Sequence, residues 1–187
     1  MEKLNRFVMA TAKVLEVLHW LGILAAIALF ILSFVAKDWA TGLVALSDGE
    51  LQFYGFSIGV LTPAGGVSFG AVRAFAVAGF FFCSLMGMVF RNIYLILRTA
   101  KGKTWFAKGD TPFQNDIVRM VREIGIFHIG VPVLGLFISW IARLVLGAES
   151  LETSMSLGGF ITGIVVLCLS QIFAYGIELQ RDVDGLV

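Results

Sequence analysis

Charge is what this sequence has least of. Fourteen Lys and Arg and 13 Asp and Glu make up 14% of its 187 residues, where an ordinary soluble domain devotes about a quarter to charge. A chain this poor in charge, 58% hydrophobic and with a mean hydropathy of +0.91, has lipid as most of its solvent. Cysteine and histidine are scarce as well. The two cysteines, Cys83 and Cys168, lie in separate apolar runs without ligand spacing, which argues against a disulfide framework or a zinc site. His19 and His128 stand on different apolar segments and show no metal-binding spacing. There is no phosphate-binding Gly-rich loop, no GxSxG, no HExxH and no CxxC. Ser84 and Ser139 are isolated in apolar stretches, where a hydroxyl bonds its own helix backbone. No catalytic, cofactor-binding or metal residue is assigned, and the chain reads as a non-enzyme without a cofactor. A net charge of +1 gives no electrostatic case for a nucleic-acid partner.

What is present is apolar length. Four runs, about residues 14–36, 74–97, 124–146 and 157–178, each reach the roughly 20 residues needed to cross a bilayer as a helix. The expected fold is an all-α membrane protein, one domain over residues 1–187, with four transmembrane helices. The first apolar run exceeds the roughly 7–15 residues of a signal-peptide core, which favours a retained span. Before it, Leu4, Val8 and Ala12 recur at helical spacing in a basic segment that reads as a piece lying on the membrane surface. In the second run Gly79, Cys83 and Gly87 stand four apart, and Gly159 and Gly163 do so in the fourth. Small residues at that spacing let helices approach closely. Pro132 in the third run frees the carbonyl of His128 and predicts a kink. Between the first two runs, 37–73 holds Leu51–Val60 and Val67–Val72 around Pro63-Ala64-Gly65-Gly66. These read as a small β-hairpin or, equally, as an irregular loop dipping to the interface.

Lys and Arg set the expected orientation. Lys3, Arg6, Lys13, Arg91, Arg98, Lys101, Lys103, Lys108, Arg119, Arg122 and Arg181 fall on one side, and Lys37, Arg73 and Arg143 on the other. The excess side is cytoplasmic under the positive-inside rule. Both termini and the 98–123 loop are thus expected in the cytoplasm, and the 37–73 loop and the Gly147–Ser156 turn outside, in a multi-pass protein of the cell inner membrane.

The 98–123 loop carries the most detail. Asp110-Thr111-Pro112-Phe113-Gln114 reads as a helix start, with Thr111 as cap, Pro112 at the first position and Gln114 completing a capping box. Phe113, Ile117, Met120, Val121 and Ile124 then form one apolar stripe. Asp116 with Arg119, and Arg119 with Glu123, have ion-pair spacing. Trp105 and Phe106 suit an interfacial anchor or, with Arg119 and Arg122, a docking surface for a cytoplasmic protein. A second set, Glu16, His19, Arg91, His128 and Glu178, lies toward the expected cytoplasmic helix ends. Interfacial pairing is the plain reading of that polar layer, and a ligand- or proton-sensing site the sharper one.

The segment KGDTPFQNDIVRMVREIG resembles the G-x-PF…N…R…IG signature of the bacterial domain of unknown function 2975 family. The closing QIFAYGIELQRDVDGLV resembles that family's last segment. Thr111 is an extra residue if Gly109 is the matching glycine. The resemblance implies a four-span membrane protein without established activity, and a partner, a small helix-turn-helix regulator encoded beside it. Two functional expectations follow. One is a protein acting by contact with such a regulator, with the bilayer and a second copy as its other partners. The other is a small transporter or channel subunit built on the polar layer.

Overall fold

A computed structural model of the chain describes residues 2–45, 47–62, 64–109, 111–147 and 153–184. In chain order it contains α1 (Glu2–Val35), α2 (Lys37–Ala45), β1 (Glu50–Phe53), β2 (Phe56–Gly59), α3 (Phe69–Thr99), α4 (Asn115–Leu146), β3 (Thr153–Met155) and α5 (Gly158–Asp184). α1, α3, α4 and α5 are each long and apolar enough to cross a membrane, as expected of a multi-pass membrane protein. At about 1.5 Å per residue they run roughly 40–50 Å, more than the ~30 Å hydrocarbon core, so each carries at least one end beyond the lipid tails. Large apolar side chains such as Leu18, Leu21, Leu24 and Ile31 stay exposed along α1, the pattern of a surface solvated by lipid.

The N-terminal segment is not a separate surface piece. α1 is continuous from Glu2, because nothing between Glu2 and Val35 breaks a helix. α4 likewise runs through the fully buried Pro132. Pro63, Asp110, residues 148–152 of the acidic turn and residues 185–187 of the tail lie outside the described residues.

The chain forms two compact units. The first gathers Met1–Leu18, Met86–Ile129 and Phe160–Val187, and the second His19–Leu85 and Gly130–Gly159. In the first, Ile117, Met120 and Val121 of α4 form a buried cluster with Leu95, Ile96, Phe106, Val166 and Phe173 packed against it. Here the GxxxG expectation meets its contact. A Cβ on Gly163 would lie 2.7 Å from the Gly125 carbonyl oxygen and 2.5 Å from Ile129 Cγ1, so α4 and α5 touch backbone to backbone.

The second unit holds an antiparallel sheet of order β1-β2-β3. β1 pairs Leu51 with Ile58 and Phe53 with Phe56, and β2 pairs Ser57 with Ser154. The hairpin turn is Tyr54-Gly55, with φ of 51° and 77°, the two left-handed residues that a type I′ connection requires. The chain turns again between Thr62 and Gly66, whose carbonyl accepts the Thr62 N–H at 2.7 Å, but there it closes only an isolated bridge from Leu61 to Val67. Its downstream arm becomes α3 instead of a strand.

The sheet sits deep. Phe56, Ile58 and Val60 are fully buried and Ser57 nearly so, so both faces of β2 are covered. Phe56 packs on Phe75 and Phe82 of α3, with ring centroids 6.4 and 5.8 Å apart. Met155 of β3 fills the space beside Gly135 of α4. Tyr54 reaches His19 of α1. At about 1.5 Å per residue, His19 lies roughly 24 Å from the Val35 end of α1, Phe82 roughly 20 Å from the start of α3, and Gly135 roughly 16 Å from the end of α4. The β1–β2 hairpin therefore packs against α1 and α3 partway along their length. Wherever the lipid boundary falls, non-helical backbone beside membrane helices is tolerated where protein covers it, and the buried β2 meets that condition.

Candidate functional site

The basic loop after α3 is folded around one side chain. Gln114 is only 4% exposed. Its Oε1 accepts from the Lys108 N–H at 2.8 Å, and its Nε2 donates to the Thr111 carbonyl at 2.7 Å and the Gly109 carbonyl at 3.0 Å. One amide donating and two carbonyls accepting also fix which end of the side chain is oxygen. The Gln114 carbonyl receives the Val118 N–H at 3.2 Å, which makes Gln114 the residue flanking the helix. α4 thus starts at Asn115, later than the sequence suggests. Thr111 accepts from the Phe113 N–H instead of capping, and Gln114 turns its amide back into the loop. The upstream half is held from the end of α3. Arg98 donates to the Lys103 carbonyl at 3.0 Å, and the buried Thr99 hydroxyl meets that of Thr104 at 3.1 Å.

This frame orients the two aromatics differently. Phe106 packs on the Ile117 cluster, while Trp105, edge-on to it at 5.3 Å, is 96% exposed. Lys103 and Lys108, two and three residues along the chain from it, are exposed. A groove of about 190 Å³ opens next to Lys108 and Gln114, closed by Ile177, Gln180 and Arg181 of α5. Arg119 sits between Asp116 at 3.8 Å and Glu123 at 3.6 Å, as its spacing suggested, and Arg122 is exposed.

Of the proposed polar layer, Glu16, Arg91, His128 and Glu178 belong to the first unit and His19 to the second. Glu16, nearly buried, pairs with Lys13 at 3.0 Å, and the same ammonium lies over the Tyr94 ring. His128 Nδ1 lies 3.0 Å from the Ile124 carbonyl of its own helix. Arg91 and Glu178 are exposed. His19 Nε2 is 2.5 Å from the Tyr54 hydroxyl, which ties α1 to the hairpin tip. Sequence reasoning missed Tyr54, and also Asn92, which is buried in α3 and donates to Glu123 at 2.9 Å. A polar amide within an apolar span was the available signal for Asn92. For Tyr54 it was a residue-Gly pair between Leu51, Phe53 and Phe56, Ile58. Among the described residues, no three His, Cys, Asp or Glu side chains come together as a metal site.

No family model, curated protein or solved structure matches this chain.

Proposed function

We propose that this is a non-enzymatic, multi-pass protein of the bacterial inner membrane that acts by protein contact. In this reading the basic loop and both termini are cytoplasmic, and the loop holds a small helix-turn-helix regulator at the membrane, as the resemblance to the domain of unknown function 2975 family implies. The observation that carries it is Trp105, 96% exposed on a loop whose backbone is fixed by the buried Gln114 amide. An ordered loop that spends its hydrogen bonds on presenting an aromatic suits recognition, since rigid aromatics dominate contact energetics. Lys103 and Lys108, close to it along the chain, select a partner face with an apolar cleft rimmed by carboxylates. Co-sedimentation of the regulator with the protein in nanodiscs tests this. Trp105→Ala is expected to weaken capture at least tenfold, the scale of a hot-spot aromatic worth ~2 kcal/mol. Capture unchanged by Trp105→Ala and by a Lys103→Glu/Lys108→Glu pair would refute the docking site.

One observation favours the transporter or channel reading. Irregular backbone inside a helical membrane protein is where such proteins build binding sites, and the hairpin tip brings a phenol against His19 there. Liposomes carrying the protein would then show an ion or lipophilic-cation flux that Tyr54→Phe alters. Flux equal to that of empty vesicles removes this reading.

A further inference from the structure

α3 bears two grooves on its outer surface, both within the second unit. One lies between α3 and α4, about 350 Å³, lined by Gly70, Ala74, Val77, Ile138 and Val145 among others, with Arg73 its sole charged residue. The other, about 230 Å³, lies between α1 and α3 and is lined only by apolar residues, including Ile27, Phe30, Val77 and Phe81. Val77 lines both, one helical turn from Arg73. Arg73 lines the groove between α3 and α4, which reaches from Gly70 and Leu146 past Arg73 to Val77 and Ile138, and the groove between α1 and α3 begins one turn further on, at Val77 and Phe30.

Arg73, one turn from the residue that the two grooves share, is held by neutral groups among the described residues. Arg73 donates from Nε to the Ser33 hydroxyl at 3.1 Å and from one Nη to the Ser33 carbonyl at 3.3 Å. Its guanidinium lies 3.7 Å over the Phe34 ring. Among the described residues no carboxylate stands within ion-pair distance of it. Among the described residues, three of its five N–H donors have no acceptor and can serve an anion. A fixed cation near the end of a membrane helix, lining one apolar groove and one helical turn from the residue where a second begins, is complementary to one molecule class: a phosphate diester bearing two acyl chains.

We propose that this fork binds one anionic diacyl phospholipid, its phosphate on Arg73, one chain in each groove and Val77 between them. The proposal is independent of which side of the membrane the sheet faces. Its occupant is a lipid headgroup rather than free phosphate, because both grooves below the cation are apolar.

Native mass spectrometry of the full-length protein in detergent tests it. The probes are dioleoyl phosphatidylglycerol, dioleoyl phosphatidylcholine, lyso-phosphatidylglycerol and inorganic phosphate. The expected result is one phosphatidylglycerol bound, preferred over phosphatidylcholine by roughly fivefold, the size of one contact between a cation and an anionic lipid. Arg73→Gln should erase the preference and Arg73→Lys retain most of it. Val77→Trp should reduce occupancy by both diacyl lipids, and Arg143→Gln should change nothing. Circular dichroism and gel filtration check the fold of each variant. If Arg73→Gln fails to fold, Arg73→Lys, Val77→Trp and the single-chain lipid still decide. Equal binding of the two diacyl lipids overturns the headgroup site. Lyso-lipid or phosphate binding as tightly as the diacyl lipid overturns the fork. A dimer that excludes lipid and is lost in Val77→Trp assigns the grooves to a second copy and overturns the proposal.

Discussion

Replacing Gln114 by Leu keeps the volume and apolar fit of the side chain but removes its three short hydrogen bonds, to Lys108, Gly109 and Thr111. At about 1 kcal/mol net each, the loop loses ~3 kcal/mol of local stability, more if the stranded backbone groups find no water. A contact to the Thr99 carbonyl at 3.5 Å is too long to add much. The change acts on loop opening and not on global unfolding, because the helices keep their packing. Trypsin reports it directly, since Lys108 lies in the segment the amide closes, while Lys101 and Lys103 lie in the half that Arg98 and Thr99 hold. When opening and closing are fast relative to cleavage, the cutting rate follows the open population. Gln114→Leu should then be cut about 100-fold faster than the parent in micelles, with the thermal midpoint nearly unchanged. Gln114→Glu should be cut fast as well, because a carboxylate still accepts from Lys108 but repels the carbonyls of Gly109 and Thr111. A Leu variant cut within threefold of the parent refutes the view that this amide holds the loop.

Tyr54→Phe and His19→Phe should each lower the midpoint by the equivalent of ~1 kcal/mol, and the double variant by little more than either alone. Additive losses would show that the two groups do not act as a pair. Gly163→Val forces side-chain atoms to within 2.7 Å of the Gly125 carbonyl and should cost about 1–3 kcal/mol, measured by thermal unfolding in micelles. A neutral result would mean that α4 and α5 part there at no cost. Trp105→Cys, in a background with Cys83 and Cys168 changed to Ala, should react with a membrane-impermeant maleimide in inverted vesicles and not in intact spheroplasts. The reverse pattern overturns the cytoplasmic assignment of the loop.

The helices were legible because each apolar run exceeds what a span needs. The Asp116, Arg119 and Glu123 network was legible because its spacing is local. A small hairpin in the first loop was legible as one of two readings, but its turn, register and third strand were not, for three physical reasons. β3 joins β2 across almost a hundred residues, as the Ser57 and Ser154 hydroxyls meeting at 2.9 Å illustrate. β2 is buried on both faces, so it lacks the alternation that marks a strand half exposed to water. The turn uses Tyr54 at a positive φ, where non-glycine residues are uncommon, while the neighbouring Pro-Ala-Gly-Gly gives a louder turn signal. His19 was placed near a helix end because the apolar run begins near residue 14. The helix itself begins at Glu2, which puts His19 in its middle. The start of α4 was misplaced because Pro112 suits a first turn, whereas the Gln114 amide gains three partners by staying with the loop.

The imbalance of eleven cations against three also reads differently once the three are located. Lys37 lies over the Phe69 ring at 5.5 Å. Arg143 donates to the Thr153 hydroxyl at 3.0 Å and carbonyl at 3.1 Å, which ties β3 to α4. Arg73 binds Ser33 and the Phe34 ring. Each holds a structural post on neutral groups, so the side poor in cations keeps those its fold requires. Hydroxyls, carbonyls and ring faces do not cancel a charge, and a cation beside apolar surface draws an anion wherever one can approach. Lys37 and Arg143 do not line either groove. Arg73 lines one and stands one turn from Val77, which the two share, and this is why the phosphate of a lipid, with somewhere to put its chains, is complementary to this arginine and not to the other two cations.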